Sequence, residues 1–169
     1  MEELYKKTLD RLKAELKKQL PEIEANGDWL WHHPEAGFKE TETQKYCLEV
    51  LKNHGFEACT WPDVTGFTCT YDTGRPGPCV MIMGEMDSLI CYSHPDCNPE
   101  TGAAHACGHS IQVATAMGAF ITLTESGVLE NFGGKVMLAG VPAEECLEIE
   151  WRTREIQKGR LHYPVSYTH

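Results

Sequence analysis

Two uninterrupted apolar runs, Cys79-Val-Met-Ile-Met83 and Val136-Met-Leu-Ala-Gly-Val141, bracket a stretch patterned as a helix, Ser110 to Ser126. A short continuous apolar run is what an inner strand covered on both faces looks like, because neither row of side chains meets water. A helix between two such strands marks a crossover, which constrains the chain to an α/β fold. The helix carries Ala114, Met117, Gly118 and Ile121 on one face, and the second strand is predicted over Lys135–Val141.

Upstream, Leu4, Leu9, Leu12, Leu16 and Leu20 predict a helix over residues 2–20. Pro21 interrupts its hydrogen-bond ladder, and a second helical stretch passes Trp29-Leu-Trp31 and ends near His33-Pro34. A third helix, Glu40–His54, aligns Tyr46, Val50 and Leu51 and stops at Gly55. Strand-like segments follow at Phe56–Trp61 and Phe67–Tyr71, and the turn Thr73-Gly-Arg-Pro-Gly-Pro78 predicts a hairpin-type connection into Cys79–Met83. A loop covers Ser88–Gly108, and a last charged helix is expected over 143–158. The sum is an α/β fold, a mixed sheet sandwiched by helices.

The 169 residues suit one domain, or one domain plus part of another. With 25 acidic against 15 basic residues the formal charge is −10, which argues against nucleic acid, since binding it needs a basic face. No run approaches the roughly 18 apolar residues of a membrane span. The start, Met1-Glu-Glu-Leu-Tyr-Lys-Lys, lacks the apolar core of a secretory signal, so a cytoplasmic location is expected. Eight cysteines occur without any Cys-x-x-Cys pair, so a zinc knuckle is poorly supported, and nothing indicates the export that a disulfide framework would go with. Most are expected to be reduced, small, buried hydrophobes.

Chemistry concentrates where strands end or a loop enters a helix, the positions at which open α/β sheets present functional groups. Gly84-Glu85-Met86-Asp87 closes the first apolar strand with two carboxylates that point the same way in extended chain. His105-Ala-Cys107-Gly-His109-Ser110 leads into the helix, and Gly108 lets that turn fold tightly enough to bring a thiolate and an imidazole onto one ion. The bland alternative is a buried cysteine, a capping Ser110 and a solvated histidine. Pro142-Ala-Glu144-Glu145 closes the second strand, and its adjacent acids leave in different directions, one toward a metal and one toward substrate. An acidic helix start explains the same pair without chemistry.

Taken in order, His33-Pro-Glu-Ala-Gly37, Gly84-Glu-Met-Asp87, His105-Ala-Cys-Gly-His109 and Pro142-Ala-Glu-Glu145 resemble the M20 metallopeptidases. Within them the chain is similar to the amidohydrolase branch, including aminobenzoyl-glutamate hydrolases and M20 domain-containing dipeptidases. The resemblance implies a zinc-peptidase-like catalytic domain holding two divalent metals (Zn, or Mn, Co or Ni). It implies Cys107, His109 and Glu145 as ligands, Glu144 as general base toward a metal-activated water, and Asp87 as the residue orienting the site. His105 opens the motif as a structural residue, and Glu85 stands where many relatives have another acid or a histidine. The implied reaction cleaves an amide bond of a small N-acyl amino acid or dipeptide.

Some positions depart from the pattern: Ser110 stands in place of aspartate, Ile90 in place of proline and Met83 in place of arginine. Relatives continue into a lid domain used for homodimerisation. Residues 1–160 are therefore expected to be the N-terminal portion of the catalytic domain, with 161–169 a non-native tail and the lid absent. Alone, such a piece is expected to hold metal weakly and hydrolyse little. The alternatives are a non-catalytic metal- or thiol-binding module, or a half-domain that needs a partner chain.

Overall fold

The computed structural model describes residues 2–145 and 149–160. Its first element corrects an expectation: α1 (Glu2–His32) is one continuous helix with Pro21 inside it. Proline removes one ladder bond, but Pro21 and Lys17, whose carbonyl loses its partner, are both exposed, so that carbonyl is not sealed away from solvent. Tertiary packing settles the outcome, because α1 lies along α3 (His109–Glu125) and Leu30 is buried with Met117 and Phe120 in one core. The second helix, α2 (Thr41–Asn53), buries Cys47, Val50 and Leu51 and ends ahead of Gly55 at φ +79°.

Four strands form the main sheet: β1 (Ala58–Thr60), β2 (Phe67–Asp72), β3 (Cys79–Glu85) and β6 (Lys135–Val141), in the order β1-β2-β6-β3. The sheet is mixed, with β1, β2 and β6 antiparallel in turn and β3 parallel to β6. Two expectations fail here. No hairpin joins β2 to β3, because β6 returns from α3 and inserts between them. Nor is β3 an inner strand: among the described residues it is an edge, and Val80, Met81 and Met83 are more than half exposed. An apolar run reports what a strand is compatible with, not where in the sheet it lies.

Inside the predicted loop, β4 (Leu89–Ile90) and β5 (Ala103–Ala104) make a small antiparallel pair. At its end Gly108 occupies the N-cap of α3 at φ +120°, with no side-chain capping bond, so Ser110 is not the cap; its hydroxyl is buried without a partner. The last helix, α4 (Ile149–Gln157), begins later than expected, and Pro142–Glu145 is an irregular turn rather than a helix start. Cysteine burial was over-read: Cys47 and Cys69 are buried, whereas Cys59, Cys79 and Cys107 are exposed and Cys91 and Cys97 half-buried. Cys146, Glu148 and the tail 161–169 lie outside the described residues. No helix among those described is long and apolar enough to cross a membrane.

The crossover β3–α3–β6 builds the functional end. Parallel pairing in the register Gly84↔Gly140 and Glu85↔Val141 brings the carboxyl ends of both strands level. The ladder runs on through Met86 N–H to Val141 O at 2.9 Å. Gly84 lets α3 settle onto β3, since a Cβ there would lie 3.1 Å from Val113 Cα. The N-terminus of α3 therefore opens beside the two strand ends. Phe67, Phe120, Met86 and Leu138 fill the core beneath, each worth roughly 1.5–3 kcal/mol of burial.

Candidate metal centre

His109 is the hub of this end, and its ring is almost wholly buried. Nδ1 lies 2.9 Å from the backbone oxygen of Asp87, which only accepts, so Nδ1 carries the proton. Asp87 Oδ1 stands 3.2 Å from the same nitrogen. The Nε2 lone pair is thereby turned the other way, toward Glu85 Oε2 at 3.1 Å, Glu144 Oε2 at 3.7 Å and Glu145 Oε1 at 3.8 Å. A lone pair facing three carboxylates is repulsive unless a positive charge sits among them. Either a second ring proton or a cation meets that demand.

Cys107 decides which fits better. Its sulfur, His109 nitrogen and a Glu145 oxygen lie within 4.8 Å of one another, as do atoms of Glu85, His109 and Glu144. Thiol, imidazole and carboxylate together are the donor set of zinc and its neighbours. The Glu145 carboxylate, hydrogen-bonded to the thiol and then acting by charge, pushes Cys107 above its ordinary value, with Glu144 and Glu85 adding to the effect. A protonated thiol amid acids is what a donor cluster looks like before a cation reverses the local charge.

Asp87 ties the pieces together. Fully buried, it supports His109 from one side and accepts the Glu145 backbone N–H at Oδ2, 3.0 Å away. Gln112 on α3 holds Glu85 in place, donating to its Oε2 at 2.8 Å and accepting its backbone N–H at 2.6 Å. Of the adjacent acids, the Glu144 side chain is half exposed and that of Glu145 only one-fifth, yet both reach the same imidazole rather than diverging.

All five residues singled out from sequence, Asp87, Cys107, His109, Glu144 and Glu145, are thus brought to one place, although they span three separate segments. Glu85, left without a clear part, is the carboxylate nearest to Nε2. His105 is buried with both ring nitrogens unpartnered, and burial, then the nearby His109, lowers its pKa to about 4, so it is neutral. Glu35 and Glu40 were missed altogether: Glu35 caps α2 through Thr43 N–H at 2.8 Å, and its backbone oxygen takes Ser88 N–H at 2.9 Å. Only the acid within His33-Pro-Glu-Ala-Gly37 hinted at either.

Comparison with known proteins bears on the fold that carries this site. No family model matches the chain. An aminohydrolase from methicillin-resistant Staphylococcus aureus superposes with a TM-score of 0.67 at 30% identity, over 80% of this chain and 35% of that one. The YXEP protein of Bacillus subtilis, described as a dinuclear metal-binding peptidase of the M20 family, superposes at 0.64 with 27% identity, over 79% and 36%. The chain has the M20 metallopeptidase and amidohydrolase fold. In sequence it is 29% identical to an N-acetyl-L-cysteine deacetylase of Bacillus subtilis over 149 residues, 86% of this chain and 34% of that protein. The M20-like chain spans about a third of the length of the curated relatives it matches.

Proposed function

We propose that this chain carries the metal-holding, proton-transferring part of an amidohydrolase that acts on small N-acyl amino acids or dipeptides. The observation that supports it is the buried His109 Nε2, aimed by Asp87 at three carboxylates and flanked by a thiol. Cys107, His109 and Glu145 would hold one divalent cation, and Glu85 and Glu144 crowd the other side of the same imidazole. When bound, such a cation supplies Lewis acidity toward an amide carbonyl.

Glu144 is the general base in this reading. Its half-exposed side chain meets solvent more fully than that of Glu145, which is one-fifth exposed, so it takes a proton from water and returns it to the leaving nitrogen. Asp87 keeps Nδ1 protonated and His109 oriented throughout.

One imidazole serves both donor groups, so a two-metal arrangement needs donors from beyond the described residues. We therefore expect the described residues by themselves to hold one ion loosely and to turn over slowly, the remaining donors of a two-metal set coming from outside them. Cobalt titration of the intact chain tests the reading. Binding should bring a thiolate-to-cobalt charge-transfer band that Cys107→Ser removes. In a longer protein carrying this region, Glu144→Gln should keep the metal and lose hydrolysis of N-acetyl amino acids. Absence of any cobalt band in the unmutated chain would sink the metal-centre reading.

A further inference from the structure

Glu40, at the N-cap of α2, is wholly buried beside the 142–145 turn, and no cationic side chain pairs with it among the described residues. A carboxyl there is costly, and burial pushes it up to about 7 even though Thr65 and three backbone N–H groups counteract the effect. Its Oε1 accepts the Ala143 backbone N–H at 2.9 Å, across 103 residues of chain, while Oε2 is bonded by the Thr65 hydroxyl.

The backbone adds an independent observation. Two non-glycine residues have positive φ among those described, Phe38 at +60° and Ala143 at +54°. Ala143 donates its backbone amide to this carboxyl, and Phe38 lies two residues ahead of it in the chain. Strained conformations persist only where surroundings over-determine them, and they gather at functional sites. Ala143 directly precedes Glu144 and Glu145. The same short segment touches the other acidic loop as well: Glu35 holds Ser88, next to Asp87, through the Glu35 backbone oxygen at 2.9 Å from both N–H and hydroxyl. Phe38 also packs on Trp151 of α4, with ring centroids 4.7 Å apart.

We propose that Glu40 is a positioning residue: through the Ala143 N–H it locks the 142–145 turn in the strained form that aims Glu144 and Glu145 at His109. With Glu35 it makes residues 35–40 a brace between the two acidic loops. Glu40 touches neither substrate nor cation in this scheme. The proposal rests on the metal-centre reading for its purpose, but not for its main test.

Amide exchange of the intact, metal-free chain, read residue by residue, is that test. In Glu40→Ala the Ala143 and Glu145 amides should exchange at least about tenfold faster, while Met137 and Leu138 amides in β6 stay as they were. Glu40→Gln, which keeps the acceptor oxygen, should restore protection. Unchanged exchange at 143 and 145, or uniform acceleration across the sheet, overturns the proposal. Should Glu40→Ala not fold, Glu40→Asp, too short to span Thr65 and Ala143, is expected to show the same local pattern. If both fail to fold while Glu40→Gln folds, Glu40 is a fold determinant and the positioning role is wrong. Cobalt titration gives the link to function: affinity should drop about tenfold to a hundredfold in Glu40→Ala and hold in Glu40→Gln. If the unmutated chain takes no cobalt, the metal reading falls, and exchange still judges the brace.

Discussion

Among the described residues, His54 and His109 each face more than one carboxylate, and His109 alone of the two makes a centre. His54 lies between Glu125, 2.5 Å from Nδ1, and Glu22, 3.0 Å from Nε2. Both ring nitrogens are used, each by one acid, so a protonated ring completes the arrangement and nothing remains to be bound. His109 spends Nδ1 on a backbone oxygen and turns Nε2 toward three acids at longer range, beside a thiol. The pair at His54 is a closed ion bridge between α1, α2 and α3. The one at His109 has more negative charge than a single proton balances, and that excess is what separates a binding site from a brace.

The largest effect expected follows directly. His109→Ala should lower cobalt affinity by about a hundredfold or more, because it removes the donor shared by both groups, whereas His54→Asn should leave affinity within about twofold. Equal losses in the two variants, read by the same visible-absorption titration, would break the distinction.

The second effect is on stability and its pH dependence. Folded Glu40 keeps its proton to about pH 7, whereas an unfolded glutamate releases it near 4.5. Between those values the native state binds more protons than the unfolded one, so stability falls as pH rises through that window. The full span corresponds to something on the order of 3 kcal/mol. Glu40→Gln should remove that slope, measured as the difference between its urea-unfolding free energy and that of the unmutated chain, in chelator, across pH 4.5–7.5.

His54 has the same sign in a different window. Burial works against its charge, but the hydrogen bonds to Glu125 and Glu22 win and raise its pKa. Stability from this bridge is fully present below the unfolded value and lost as pH rises through the folded one. His54→Asn should therefore cost about 1 kcal/mol near pH 6 and progressively less above neutrality, since the bridge is partly exposed. A cost that grows with pH would mean that the ring is neutral in the folded chain.

How much of this was readable beforehand divides along the range of the interactions. Helix α2 and strands β2, β3 and β6 follow local periodicity, and the ends of α3 fell within a residue. What failed was set at a distance. The order β2-β6-β3 depends on where a returning strand inserts, and Pro21 is tolerated because α3 supports the helix it interrupts. The exposure of Val80, Met81 and Met83 belongs to the same class, because no apolar run shows which neighbour it has. At the site, Cys107, His109, Glu144, Glu145 and Asp87 were named from ordered motifs. Glu40 was invisible, since its partners are the distant Thr65 hydroxyl and the Ala143 N–H, and a backbone N–H group leaves no mark in a sequence.

The two histidine clusters share one more feature, and it yields the smallest and most discriminating effect. Each has a glutamine holding one of its acids: Gln19 donates to Glu125 at 3.0 Å, and Gln112 donates to Glu85 at 2.8 Å. Around His54 the acid is already fixed by a short bond to the ring, so Gln19→Ala should change neither cobalt affinity nor the pH profile of stability measurably. Around His109 the acid nearest Nε2 makes a 3.1 Å contact and depends on Gln112 for its direction, from both its carboxylate and its own N–H. Gln112→Ala should then weaken cobalt binding a few-fold, about 0.5–1 kcal/mol, with unfolding unchanged within about 0.5 kcal/mol. Calorimetric titration of the two variants side by side reads the difference, and an effect from Gln19 as large as that from Gln112 would show that both clusters merely hold helices together.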